Sequence, residues 1–178
     1  MKAHLLYLKY VIRHKWFVFL ACLQYGLVWR GIKHDWHKFL PDEWFPYVRF
    51  FYGKNGEPVQ RRDSTGYYKP TDTGNAAFDF AWLLHQKRAD HHWQWWVLPE
   101  DEGGLKVLSM SDVARREMIA DWRGAGKAQG SPKTWEWWEA NKHKLQLHPD
   151  TRAWVEVEMA KLKRSHELDE KARVLGIL

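Results

Sequence analysis

The stretch His4–Tyr25, HLLYLKYVIRHKWFVFLACLQY, decides the fold class. Leu5, Leu8, Ile12, Val18 and Leu23 fall at helix-compatible spacings, and neither Gly nor Pro interrupts the run before Gly26. A helix over 4–25 is therefore expected. Within it His14 has Tyr10, Phe17 and Val18 at i−4, i+3 and i+4, so its imidazole shares an apolar, inward-looking stripe. Such a histidine is either a buried neutral side chain with one hydrogen bond or a ligand. Lys9, Arg13, His14 and Lys15 interrupt the apolar run. That leaves no clean signal-peptide core and no span near the roughly 20 residues a membrane helix needs.

Further along, a second helical region is expected from Gly31, carrying His34–Asp35, interrupted at Pro41 and resuming through Glu43 to Tyr52. Residues 53–75, including GKNGEPVQRRDSTGYYKPTDTG, are rich in turn formers, with a hairpin-turn signal at Asn55–Gly56. A loop this long reads as a lid or as a surface excursion. Residues 76–96 read as a third helix, and LPEDEGG (98–104) as a loop. Ser109 or Ser111 caps a fourth helix, expected to end at Gly124 and Gly126. Ser131–Pro132 starts a fifth over 132–145, and His148-Pro149-Asp150 opens a charged, amphipathic sixth. The expectation is an all-α single domain of about six helices, with a core over 10–125 and C-terminal helices over 132–178 for packing or assembly.

Composition narrows the partners. The formal net charge is +6, which favours acidic partners such as nucleotides or nucleic acid without choosing among them. Thirteen tryptophans supply large buried area, and each indole N–H also needs a partner, which places many at the rims of a core or cleft. The single cysteine, Cys22, excludes an intrachain disulfide and suits a reducing cytoplasm.

The chemistry lies in His14, His34–Asp35, His85, His91–His92 and Asp121. Neutral imidazole and carboxylate together suit a divalent ion: Mn, Fe, Mg, Co or Zn. Asp121, between Ile119 and Trp122, has to be paired or metal-bound to be tolerated on an apolar face. Glu117, one turn earlier, is placed to orient a ligand. In an unbroken third helix His85 and His92 share a face while His91 points elsewhere.

The order H…HD…H…HH…D resembles the HD phosphohydrolase superfamily, in particular its branch with a second metal held by extra histidines. The strings YVIRHKWFVF, HDWHKFLPDEWFPY, FAWLLHQKRADHHWQWW and EMIADWRGAG look like a small, uncharacterised HD-like family of bacteria and bacteriophages. His85 and His91 stand closer together, and His34 and His85 further apart, than in the two-metal branch. The resemblance implies one metal on His14, His34, Asp35 and Asp121, and a second on Asp35, His85, His91 and His92. It also implies a metal-dependent phosphohydrolase of nucleotides or small phosphate esters, with metal-activated hydroxide attack on phosphorus. Lys15, Lys38, Arg61, Arg62 and Arg88 are then candidate phosphate contacts, and Trp36 or Trp93 a base-stacking surface. The alternative is a non-enzymatic nucleotide or nucleic-acid binder, suggested by the charge, the tryptophans and Lys161-Leu-Lys163-Arg164. A plain assembly helix in a homo-oligomer explains that basic stretch equally well.

Overall fold

Tyr7, Val11, His14, Val18 and the Ala21–Cys22 pair recur every three to four residues and form the buried face of helix α1, Lys2–Gln24. Leu5, Ile12 and Leu23 lie on the opposite, exposed side, so of the five apolar residues that marked the helix only Val18 is fully buried. The structure, a computed structural model, describes residues 1–53, 55–59, 63–66 and 73–177. Among these, α1 is followed by α2 (Val28–Lys33), α3 (Pro41–Phe51), α4 (Ala76–Arg88), α5 (Asp112–Gln129), α6 (Thr134–Asn141) and α7 (Pro149–Val174). The architecture is an all-α single-domain bundle with one small two-stranded sheet.

Two expected helices are broken where the chemistry lies. The region from Gly31 is not continuous through His34–Asp35: α2 stops at Lys33, and a 3-10 turn runs Trp36–Phe39 before Pro41 opens α3. Asp35 takes left-handed backbone angles (φ 50°, ψ 33°), the one non-glycine to do so among the described residues. Aspartate tolerates this region better than most residues, and here it reverses the chain. The third helix stops at Arg88 rather than 96. His91 and His92 follow in a turn, then a 3-10 segment Trp93–Trp96.

Of residues 98–104, expected as a loop, 100–104 form the turn of a hairpin whose strands are β1 (Val97–Pro99) and β2 (Leu105–Val107). Ser111 caps α5, its Oγ accepting from the Ala114 N–H, and the helix passes through Gly124 and Gly126 to end at left-handed Gly130. Gly124 is instead a crossing point, since a Cβ there would lie 2.3 Å from Val18 Cγ2. That contact lets α1 lie directly along α5.

Phe50, Phe78, Tyr47 and Tyr7 make an aromatic core between α1, α3 and α4. Met118, Ile119, Trp138 and Val155 join α5, α6 and α7 in another. Val18, Cys22 and Ala120 seal the α1–α5 seam. The Asn55–Gly56 turn is present, closed by a bridge between Tyr52 and Pro58. Asn141 of α6 holds Thr65, donating from Nδ2 to its carbonyl and accepting from its hydroxyl at Oδ1. Arg61, Arg62 and much of the expected lid lie outside the described residues. No described helix is long and apolar enough to cross a membrane.

Candidate metal centre

Asp35 is the hub. Its carboxylate is fully buried, and six imidazoles surround it. Oδ2 faces His34 Nε2 at 3.4 Å, His85 Nε2 at 3.8 Å and His14 Nε2 at 3.9 Å. Oδ1 faces His91 Nε2 at 3.3 Å, His37 Nε2 at 3.6 Å and His92 Nε2 at 3.9 Å. Asp121 completes one side, its Oδ1 lying 3.2 Å from His14 Nε2 and 3.4 Å from His34 Nε2. All seven residues drawn from the sequence pattern therefore converge. His37 is the member that sequence reasoning missed, although it stands two positions after Asp35.

Two buried glutamates hold the rings. Glu117 Oε1 accepts from His34 Nδ1 at 3.1 Å and lies 3.3 Å from His91 Nδ1. Glu43 accepts from His37 Nδ1 at 2.9 Å and from His85 Nδ1 at 3.1 Å. Each glutamate is backed by an arginine: Arg30 Nε at 2.7 Å from Glu117, and Arg88 Nη1 at 2.7 Å from Glu43. Asp90 and Asp42 anchor the far ends of those guanidiniums. With Nδ1 engaged by a carboxylate, Nε2 is the nitrogen of each ring left facing Asp35. The role read for Glu117 thus has a counterpart, Glu43, which carries no spacing signal of its own.

Electrostatics follows this division. Burial opposes charge on Glu43 and Glu117, but hydrogen bonds from their histidines outweigh it and bring both to about 2. Asp35 and Asp121 lie well below the usual carboxylate range despite burial, because of His34 and Lys38 around the first and His14 and His34 around the second. Burial with Lys38 nearby takes His14 down to about 4. Burial and the neighbouring His91 lower His92 too. His91 goes the other way: burial is outweighed by the carboxylates of Asp35 and Glu117 beside it, and it rises to about 10.

The fit to a metal ion rests on what these atoms lack. The Nε2 atoms of His14, His34, His37, His91 and His92 are buried without a well-formed hydrogen bond, as is Asp35 Oδ1. Buried polar atoms are otherwise almost always satisfied. Metal–N and metal–O bonds of about 2.1 Å imply ligand–ligand separations of about 3.0–3.4 Å. The His34 and Asp121 contacts given above already fall near that range. Four donor sets, each with its atoms within 4.8 Å of one another, could hold an ion: His14–His34–Asp35–Asp121, Asp35–His91–His92, Asp35–His37–His85 and His34–His91–Glu117. The last is engaged in the Nδ1–carboxylate contacts just described. Among the added histidines, His85 shares a donor set with His37, and its ring also lies 4.4 Å from that of His92.

The other expected site residues are distributed differently. Lys38 Nζ lies 2.6 Å from Asp35 Oδ2, and Lys15 donates to the His34 carbonyl, which ties α1 to the chain reversal. Arg88 is engaged by Asp42 and Glu43. A cleft of about 340 Å³ opens onto the cluster, with His34, Asp35, His37 and His91 at its buried end and Lys33, Trp36 and Trp95 at its exposed rim. Trp93 instead packs against the Met118–Trp138 core, so Trp95 takes the place expected of it beside Trp36.

A family model described as "Family of unknown function (DUF5662)" matches residues 3–161. The chain belongs to this family. The match spans every residue of the cluster, from His14 to Asp121, and names no activity. No curated protein and no solved structure matches the chain. Any functional assignment for this DUF5662 member therefore rests on the site itself.

Proposed function

We propose that this DUF5662 protein is a metal-dependent phosphohydrolase of the HD type, acting on a nucleotide or related small phosphate ester. The observation that carries the reading is the convergence of five unsatisfied, buried imidazole Nε2 atoms on Asp35, with four of the surrounding rings fixed from behind by Glu43 and Glu117. His14, His34, Asp35 and Asp121 would hold one ion, and Asp35 with His91 and His92 a second. Such a nitrogen-rich set favours Mn, Fe, Co or Zn over Mg. When bound, these ions lower the pKa of coordinated water and neutralise charge on a phosphoryl group.

The chain's own groups supply the rest. Asp35 presents one oxygen to each histidine set and so ties the two positions together. Lys38 keeps its ammonium beside Asp35 Oδ2, where it can also face a phosphoryl oxygen. Trp36 and Trp95 offer exposed indole faces at the rim for a base, and Lys33 an exposed ammonium for a distal phosphate.

The test is metal analysis of protein purified without chelator, followed by a phosphate-release screen over nucleotides and simple phosphate monoesters with added Mn²⁺. At least one tightly held transition ion per chain and turnover abolished in both Asp35→Asn and Asp121→Asn are expected. An ion-free protein, or turnover that survives both substitutions, would overturn the assignment. Tight nucleotide binding without phosphate release would place the protein among binders instead.

A further inference from the structure

His37, paired with His85, is an imidazole of the cluster that the H…HD…H…HH…D pattern leaves out. His37 is 97% buried, its Nε2 lacks a well-formed hydrogen bond, and that atom points at Asp35 Oδ1 from 3.6 Å. His85 Nε2 points at Asp35 Oδ2 from 3.8 Å. Both rings are fixed at Nδ1 by one carboxylate, Glu43, which is fully buried and held in turn by Arg88 and, through it, Asp42. The arrangement repeats, with different residues, what Glu117, Arg30 and Asp90 do for His34 and His91. Two imidazoles that only filled a core would have no need of a shared buried anion, a guanidinium behind it and lone pairs turned toward a common carboxylate.

The geometry assigns to Asp35, His37 and His85 a metal position of its own, additional to the His14–His34–Asp35–Asp121 position, for a first-row transition ion. The three donor atoms lie within 4.8 Å of one another. Two imidazoles and one carboxylate leave coordination positions open, which suits an ion that also takes water or a substrate oxygen. Glu43 and Arg88 are positioning residues for it, acting through the two rings. This assignment rests on the metal-centre reading above but not on phosphate-ester turnover.

Anomalous scattering from crystals of the full chain loaded with Zn²⁺ or Mn²⁺ tests it, together with ion stoichiometry after dialysis. A peak within bonding distance of His37 Nε2, His85 Nε2 and Asp35 is expected. His37→Gln should then lose one ion per chain and keep the ion at His14, His34 and Asp121. Asp121→Asn should show the reverse pattern. Peaks confined to the other sets would overturn this assignment and leave the proposed function standing, whereas no peak anywhere would overturn both. An ion seen at His37 only under millimolar metal, and absent after dialysis, would overturn it too. The wild-type map answers the question even if His37→Gln fails to fold.

Discussion

Glu117 Oε1 lies 3.1 Å from His34 Nδ1 across 83 residues of sequence, and the contact joins α5 to the chain reversal after α2. It fixes which nitrogen of His34 faces Asp35. Removing the charge while keeping an oxygen at the same place should weaken that control without opening a cavity. Glu117→Gln is therefore expected to lower metal affinity by about 10–100-fold. Competition against a chromophoric chelator measures this, and an unchanged affinity would show that the glutamate serves folding alone.

Asp35 and Asp121 should separate by stoichiometry. Asp35 belongs to three donor sets and Asp121 to one. Asp121→Asn is expected to cost one ion per chain, and Asp35→Asn every ion, with phosphate release falling by about 10²-fold or more in each. Asparagine is the right replacement at 35, because it tolerates the left-handed backbone (φ 50°) that alanine would strain. Equal metal loss in both variants would contradict the hub role of Asp35.

Metal binding should release protons. In the ion-free chain His91 is raised to about 10 and His34 is raised as well, burial in each case being outweighed by the surrounding carboxylates. A raised folded-state value means that the charged His91 contributes stability fully below its unfolded value of 6.5 and loses it as pH rises toward 10. Coordination needs the neutral ring, so an ion displaces those protons and apparent affinity should rise with pH. Calorimetric titration at pH 7 in buffers of different ionisation enthalpy is expected to show net proton release, with His91 supplying close to one proton. A release of zero would mean that these two rings do not ligate.

Acid should act through the glutamates. Glu43 and Glu117 are depressed from 4.5 to about 2, chiefly because their histidine bonds outweigh burial. Their contribution is present above 4.5 and is lost as pH falls through about 2. Glu43→Gln should therefore flatten the stability loss of the ion-free protein between those values in pH-dependent urea unfolding. An identical pH profile would remove Glu43 from the account.

Gly124 gives a purely structural test. Alanine there gains about 1 kcal/mol of helix propensity. Its Cβ would nevertheless stand 2.3 Å from Val18 Cγ2 and 2.7 Å from the Val18 backbone nitrogen, which cannot move aside cheaply. Overpacking of this kind costs about 1–3 kcal/mol and outweighs the gain. The net loss, up to about 2 kcal/mol, should lower the Tm of Gly124→Ala by up to about 8 °C. A rise in Tm would mean that α1 and α5 are not held this close.

Helix α1, the cap at Ser111, the start at Pro149 and the seven His and Asp candidates all follow from local signals, because capping chemistry and residue type are properties of short segments. The leucines were a poorer guide. Leu5 and Ile12 are apolar yet exposed, and the buried stripe is set by what α5 and α3 present to α1. Residue chemistry likewise pointed to a set of candidate metal ligands, but helical periodicity misplaced them. In an unbroken helix Asp35 and His37 would point about 160° apart, and His91 and His92 about 100° apart. Neither pair could then serve one centre.

What the amino-acid order determined by itself was an all-α chain with imidazoles and carboxylates spread over several helices. Tertiary structure alone decided that Asp35 is the hub, that His37 joins His85, that Glu43 matches Glu117, and which four rings the two glutamates hold. The reason is physical. The chain reversal at Asp35 and the end of α4 at Arg88 release these side chains from helical directions, and only packing between distant elements fixes where they then point.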